Sequence, residues 1–168
     1  MNVPLFKQRR NTCGPTSLRM MLAYFGRDIQ ESEIIKSVGG IKKYGVRTVK
    51  LAKFVKELGF KTECLSYNRK LAVGKAKIKK PNIGDILKYL KQKIPVIICV
   101  RCSLFYNCIA RPKDKGHFVV ITGYKNNFFW YNDPYDGKRH KIKEGELVFA
   151  WFNNVLDSSA YLLAIWPR

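Results

Sequence analysis

One thiol, one imidazole and one carboxylate stand in this chain where they could carry out acyl transfer. Cys13 precedes Gly14-Pro15-Thr16 and a run in which Leu18, Met21, Leu22 and Phe25 fall at helical spacing. The cysteine therefore opens the first turn of a helix over about 14 to 25, which Gly26 closes. A thiol attacks only as thiolate, and the unpaired N–H groups and dipole of a helix N-terminus favour that anion. The same amides can donate to the oxyanion that forms when a carbonyl is attacked. His117 opens an aromatic and β-branched run to Tyr124, and a second run, Phe128 to Asn132, follows Lys125-Asn126-Asn127. That is a hairpin pattern. A turn centred on position 125 sets His117 opposite Asp133, with Cβ atoms about 5 Å apart. The carboxylate would then bind one imidazole nitrogen and leave the other facing outward. Nucleophile, base and orienter are the parts that acyl transfer needs. Each also has a plainer reading: Cys13 as a small buried packer, His117 as a surface or capping histidine, Asp133 as a turn former before Pro134.

The rest of the chain must hold these groups in place. It has 168 residues, 46% apolar and 13% aromatic, with 32 Lys and Arg against 12 Asp and Glu and a net charge of +20. A chain this rich in material to bury is a folded basic domain rather than a disordered polycation. No repeat, linker or composition break divides it, so one domain over 1–168 is expected. No apolar run approaches the roughly 18 residues of a membrane span, and no secretory leader opens the chain. Five cysteines, at 13, 64, 99, 102 and 108, are odd in number and scattered, which favours a reducing compartment and a cytoplasmic location. The positive surplus would attract a polyanion: nucleic acid, anionic lipid or an acidic peptide.

Helices are expected over Ser32 to Val38, stopped by Gly39-Gly40; from a Thr48 cap through Leu58, closed by Gly59; and over Ile83 to Leu90 after Asn82. Phe60 to Leu65 and Val96 to Val100 read as strands, the second buried, and 102 to 116 as a loop. After the hairpin come a tight turn at Asp133 to Gly137, a strand at Lys138 to Ile142, a short helix at Glu144 to Phe152 and a closing strand at Tyr161 to Trp166. Helices first and antiparallel strands afterwards predict an α+β domain in which an N-terminal helical layer packs on a meandering sheet.

Gln8-Arg9-Arg10-Asn11-Thr12-Cys13-Gly14-Pro15-Thr16-Ser17-Leu18, continued by Met21-Leu22-Ala23-Tyr24-Phe25-Gly26, resembles the cysteine block of the bacteriocin-processing peptidases of cysteine-peptidase family 39. Gly116-His117-Phe118-Val119-Val120-Ile121 and Asn132-Asp133-Pro134 resemble that family's histidine and aspartate motifs, in the same order. The resemblance implies a papain-like fold with Cys13 as nucleophile, His117 as general base and acid, Asp133 holding the imidazole and Gln8 completing the oxyanion hole. Gln8 stands five positions before Cys13, where the family commonly has one more. The best-known relatives are fused to a transporter and cut leader peptides after Gly-Gly. This chain looks like the stand-alone branch, without transmembrane segment or fused transporter, acting on a peptide or protein substrate. Two other readings keep the same residues: a papain-fold acyltransferase, and an idle shell that binds a polyanion.

Other groups fit structural roles better. Cys99, Cys102 and Cys108 suggest a metal site by spacing, but the first two fall on a strand at positions that face opposite sides, so no metal or cofactor is expected. Cys64 reads as core and His140 as solvated. Gly39-Gly40 reads as a helix terminator rather than a cleavage signal. Lysines between 69 and 80, with Tyr67 and Tyr89 nearby, form either a solvated face or a basic aromatic surface. In Phe128-Phe129-Trp130-Tyr131, alternate rings point to opposite faces of a strand, one set toward the helices.

Overall fold

The computed structural model describes residues 1–43, 45–106, 116–152 and 161–168. Cys108 and most of the loop expected over 102–116 lie outside them. The first elements are helices: α1 (Cys13–Tyr24), α2 (Glu31–Ser37) and α3 (Thr48–Glu57). Then come β1 (Lys61–Ser66), α4 (Arg69–Ala72), β2 (Lys77–Ile78), α5 (Ile83–Lys91), β3 (Val96–Arg101) and α6 (Cys102–Phe105). The chain continues through β4 (Gly116–Lys125), β5 (Phe128–Asp133), β6 (Lys138–Lys143), α7 (Glu144–Phe152) and β7 (Leu162–Trp166).

The strands form one seven-stranded sheet in the order β2-β1-β7-β3-β4-β5-β6. All its pairings are antiparallel except the short β1–β2 pair. The α+β class is as expected. The N-terminal helical layer on the sheet is as expected too, and a second helical layer covers the other face, because β3 is apolar on both sides and Val96 to Val100 are all buried. A strand without a polar face needs cover on both. Ile97, Cys99, Phe118 and Val120 pack with α1, α2 and α3, whereas Val96, Ile98, Val100, Val119 and Ile121 pack with α5, α6 and α7.

Local chemistry explains the element ends. Asn82 caps α5 through a reciprocal pair: Asp85 N–H donates to its Oδ1 at 3.1 Å and its own N–H donates to Asp85 Oδ2 at 2.9 Å. Gly39 and Gly40 end α2, with the Gly40 N–H donating to Ile35 O at 2.8 Å. Thr48 does not cap α3 as expected; Arg47 takes that position, and the Thr48 hydroxyl is buried without a partner among the described residues. The segment 102–105 is helical rather than loop.

The hairpin differs from the sequence arithmetic by two residues. Its turn is Asn126-Asn127, with φ of 50° and 61°, the left-handed pair that a two-residue type I′ connection requires. Lys125 therefore pairs with Phe128, and after a bulge between Ile121 and Gly123 the register reads Ile121 to Tyr131 and Val120 to Asn132. Extended one step, it sets Asp133 opposite Val119. His117 and Asp133 are thus diagonal neighbours, not a direct cross-strand pair, and their reach across that diagonal is what brings them together.

Candidate active site

Cys13 is the first residue of α1, and its surface is partly open. A tight turn aims the helix: Asn11 sits at φ 62°, and Thr12 returns both its N–H (3.3 Å) and its hydroxyl (3.0 Å) to Arg9 O. The helix is held to β4 by Ser17 Oγ donating to Phe118 O at 3.5 Å. Gly14 makes the close approach possible, since a Cβ there would stand 3.3 Å from both Leu51 Cδ1 and Phe118 Cδ2. The approach has a chemical consequence, because it sets the backbone N–H groups of Phe118 and Gly14 where they help to lower the Cys13 thiol.

His117 is the second residue of β4, beside Val100 of β3, and only 5% of it is exposed. Its Nε2 donates to Asp133 Oδ1 at 2.8 Å. Nδ1 is then the nitrogen left for the Cys13 thiol, whose interaction with the ring lowers the thiol and raises the imidazole. Asp133 is buried at the end of β5 and accepts from two more donors: Tyr135 N–H at 2.8 Å on Oδ1 and Tyr106 Oη at 2.6 Å on Oδ2.

The electrostatics follow from these bonds. Burial pushes the Cys13 thiol up, but the hydrogen bond and charge of His117, with the Phe118 and Gly14 amides, outweigh it and the thiol ends below its ordinary value. Burial alone would neutralise His117; its bonds to Asp133 and Cys13 instead raise it to about 9. Asp133 is penalised by burial yet held below the ordinary carboxylate range by His117, Tyr106 and the Tyr135 amide. All three shifts run toward the same charge pattern, favouring the anion on Cys13, the cation on His117 and the anion on Asp133.

Gln8 reaches this region along a strap. Asn132 Nδ2 donates to Val3 O at 3.0 Å, and Gly137, at φ 72°, lets Lys7 pass so closely that a Cβ would stand 3.1 Å from Lys7 Cβ. Gln8 N–H then donates to Pro134 O at 2.7 Å, one residue beyond Asp133. Its side-chain Oε1 is buried without a partner among the described residues. The fold thus gathers Cys13, His117 and Asp133 into one cluster in which His117 is hydrogen-bonded to Asp133, and ties the Gln8 backbone to the turn behind Asp133.

Tyr106 is the participant that sequence reasoning missed. It follows α6 inside a stretch read as loop, and its partner lies 27 residues away, so no local pattern announces it. Its ring sits 5.8 Å from the His117 ring and 5.9 Å from that of Tyr135. His140, expected in solvent, is half-buried, stacks against Tyr131 at 5.5 Å and bonds Asp136 at 2.9 Å. Cys64 is buried, with its thiol pushed up to about 12, as suits a core residue. Cys99 is buried in β3 and Cys102 half-buried in α6. Phe129 and Tyr131 face the α7 side, as the alternation required.

Comparison with known proteins bears on the family and the fold. The Peptidase_C39 like family matches residues 1–156. No curated protein gives a significant match. Among solved structures, a C39-like protein from Bacillus anthracis aligns at a TM-score of 0.74 with 19% identity, over 99% of this chain and 96% of that one. The peptidase domain of Streptococcus ComA, a bi-functional ABC transporter of a quorum-sensing pathway, aligns at 0.70 with 18% identity, over 99% and 100% of the two chains. A double glycine motif protease from an AMS/PCAT transporter, solved with its leader peptide, aligns at 0.63 with 20% identity, over 99% and 93%. These likenesses establish the papain-like peptidase fold.

Proposed function

The chain belongs to the Peptidase_C39 like family, and from that premise we propose that it is a cysteine peptidase, one domain over 1–168, that hydrolyses a peptide bond through Cys13, His117 and Asp133. The observation that supports the reading most is the buried His117 Nε2–Asp133 Oδ1 bond of 2.8 Å, on a ring that also interacts with the Cys13 thiol. The Cys13 thiolate attacks the peptide carbonyl carbon, and His117 passes its proton to the departing amine nitrogen, leaving a thioester. Water then attacks the thioester carbon while the imidazole takes its proton; the carboxylic acid leaves and the thiolate returns. Asp133 fixes the ring orientation and stabilises the imidazolium in both steps.

First-turn amides of α1 and the Gln8 side-chain amide are the proposed donors to the oxyanion. The Gln8 N–H bond to Pro134 O at 2.7 Å, one residue beyond Asp133, supports that role by holding this residue beside the site. Tyr106 is a positioning residue in this scheme, acting through Asp133. No helix among the described residues is long and apolar enough to cross a membrane. A reducing compartment, the cytoplasm in this proposal, keeps the Cys13 thiol free.

The test is labelling and turnover in one experiment. Wild-type protein is expected to take up one equivalent of iodoacetamide rapidly at Cys13 and to cleave members of a peptide library, while Cys13→Ala does neither and keeps the wild-type circular dichroism. Cleavage by a folded Cys13→Ala protein would overturn the proposal. Between the lowered thiol value and about 9, where His117 gives up its proton, cleavage is expected to be constant, and above about 9 to fall.

A further inference from the structure

The large apolar side chains left exposed include two clusters. One, Tyr106 and Tyr135, flanks His117 and belongs to the site already described. The other, Tyr67, Val73 and Ile78, lies at the β2 edge of the sheet, three strands removed from β4.

This second cluster is built by a short excursion between β1 and α5. Ala72, fully buried, anchors it; Lys75 and Ala76 N–H groups both donate to Ala72 O at 2.8 Å, and Lys79 N–H returns to Ser66 O at 3.0 Å. β2 comes back parallel to β1, with Leu65 beside Lys77 and Ser66 beside Ile78. The arrangement leaves Val73 65% and Ile78 46% exposed. On the same excursion Arg69, Lys70, Lys75, Lys77, Lys79 and Lys80 are all exposed.

The charge is one-sided. From 61 to 93 the chain carries Lys or Arg at ten positions (61, 69, 70, 75, 77, 79, 80, 88, 91 and 93) against Glu63 and Asp85 alone. Both carboxylates are engaged, Glu63 with Lys77 (3.9 Å) and Lys88 (3.7 Å), Asp85 with Lys79 (2.5 Å). Lys56 of α3 joins Lys75 and Lys77 around an open depression of about 320 Å³, so the positive surface continues onto that helix.

We infer that this face binds an anionic lipid surface, with Val73 and Ile78 entering the boundary between headgroups and acyl chains and the lysines resting on the phosphates. Exposed aliphatic residues set among cations are what such an interface uses: apolar area for partitioning, positive charge for attraction to acidic headgroups. A polynucleotide would instead be met by stacking rings and forked guanidinium groups. Here five of the six basic residues around the excursion are lysines and the two most exposed apolar side chains are aliphatic. β2, with two residues, is too short an edge for an added peptide strand. The inference stands apart from the catalytic reading and does not need it.

The full chain is mixed with sucrose-loaded vesicles of phosphatidylcholine alone, or of phosphatidylcholine with phosphatidylglycerol, and sedimented. Binding is expected only to the mixed vesicles and is expected to weaken as salt rises. A Val73→Ser/Ile78→Ser protein, altered only at exposed positions and checked by circular dichroism, is expected to lose at least about tenfold in partitioning. Lys70→Glu/Lys75→Glu is expected to lose as much or more. Equal binding to both vesicle types, or wild-type binding by the Val73→Ser/Ile78→Ser protein, would overturn the inference. So would displacement from the vesicles by single-stranded RNA at equal phosphate concentration, which would assign the face to nucleic acid.

Discussion

The β4–β5 end of the sheet and its β1–β2 edge handle charge in opposite ways. At the first, few ionisable groups are buried and each is matched: Asp133, 2% exposed, takes three donors within 2.8 Å. At the second, many cations stand in water against two acids, and two of its pairs are as long as 3.7 and 3.9 Å. Short bonds in a low dielectric are strong, directional and indifferent to salt, whereas a crowd of exposed charges makes a field that reaches outward and that salt screens. One arrangement suits bond chemistry at a fixed point; the other suits adhesion to a surface of no particular shape.

The contrast is broken most severely at the buried end. Asp133→Asn keeps the shape but removes the charge, and kcat is expected to fall by about 10³ to 10⁴-fold. Since Asp133, together with Cys13, raises His117 toward about 9, the alkaline fall in activity is expected to start at lower pH in this variant. A pH profile alongside kcat checks both; unchanged limbs would leave Asp133 without an orienting role.

Tyr106→Phe removes a single oxygen and with it the bond to Asp133 Oδ2. A lost bond to a charged acceptor is expected to lower kcat about tenfold with KM unchanged. The phenol stabilises ionised Asp133, so without it the carboxyl takes up its proton at higher pH, and the part of the acid limb that Asp133 adds to that of the thiol is expected to move upward. A purely structural role would change stability and leave that limb where it is.

Gly14→Ala tests packing rather than charge. The added methyl meets Leu51 and Phe118 at 3.3 Å, which is expected to cost about 1–3 kcal/mol against a helix-propensity gain under about 1 kcal/mol. Urea denaturation is expected to show a net loss. At the other extreme, Lys53→Ala on α3 breaks an exposed pair with Glu57 at 3.7 Å, and stability is expected to change by less than about 0.5 kcal/mol. A larger change there would mean that the basic surface is more than a collection of solvated charges.

Local periodicity made α1, α2, α3, α5 and the β3 run legible, because burial of one face or of both leaves a pattern within ten residues. The positions of Cys13, His117 and Asp133 were legible for a related reason: a helix start, a strand start and a turn before Pro134 are all local features. What joins them is not. The two-residue offset in the hairpin arises from the placement of the Asn126-Asn127 turn and the bulge after Ile121, and neither changes the alternation of apolar residues enough to be read. Tyr106, the diagonal reach of His117 and the helices on both faces are products of long-range pairing. The insertion of β7 between β1 and β3 is the clearest case, since nothing in Leu162–Trp166 names its neighbours.

That insertion orders events during synthesis. Until residues 162–166 emerge from the ribosome, β1 and β3 have no common partner, and the nascent chain can assemble only two half-sheets, β1–β2 and β3 through β6. His117 and Asp133 belong to the second half, but α1, with Cys13, packs in a core that includes Leu163 and Ile165. Ser17 already ties α1 to Phe118 of β4, and the late strand adds Leu163 and Ile165 to the core under that helix, so the register of thiol and imidazole is expected to tighten once translation has passed it.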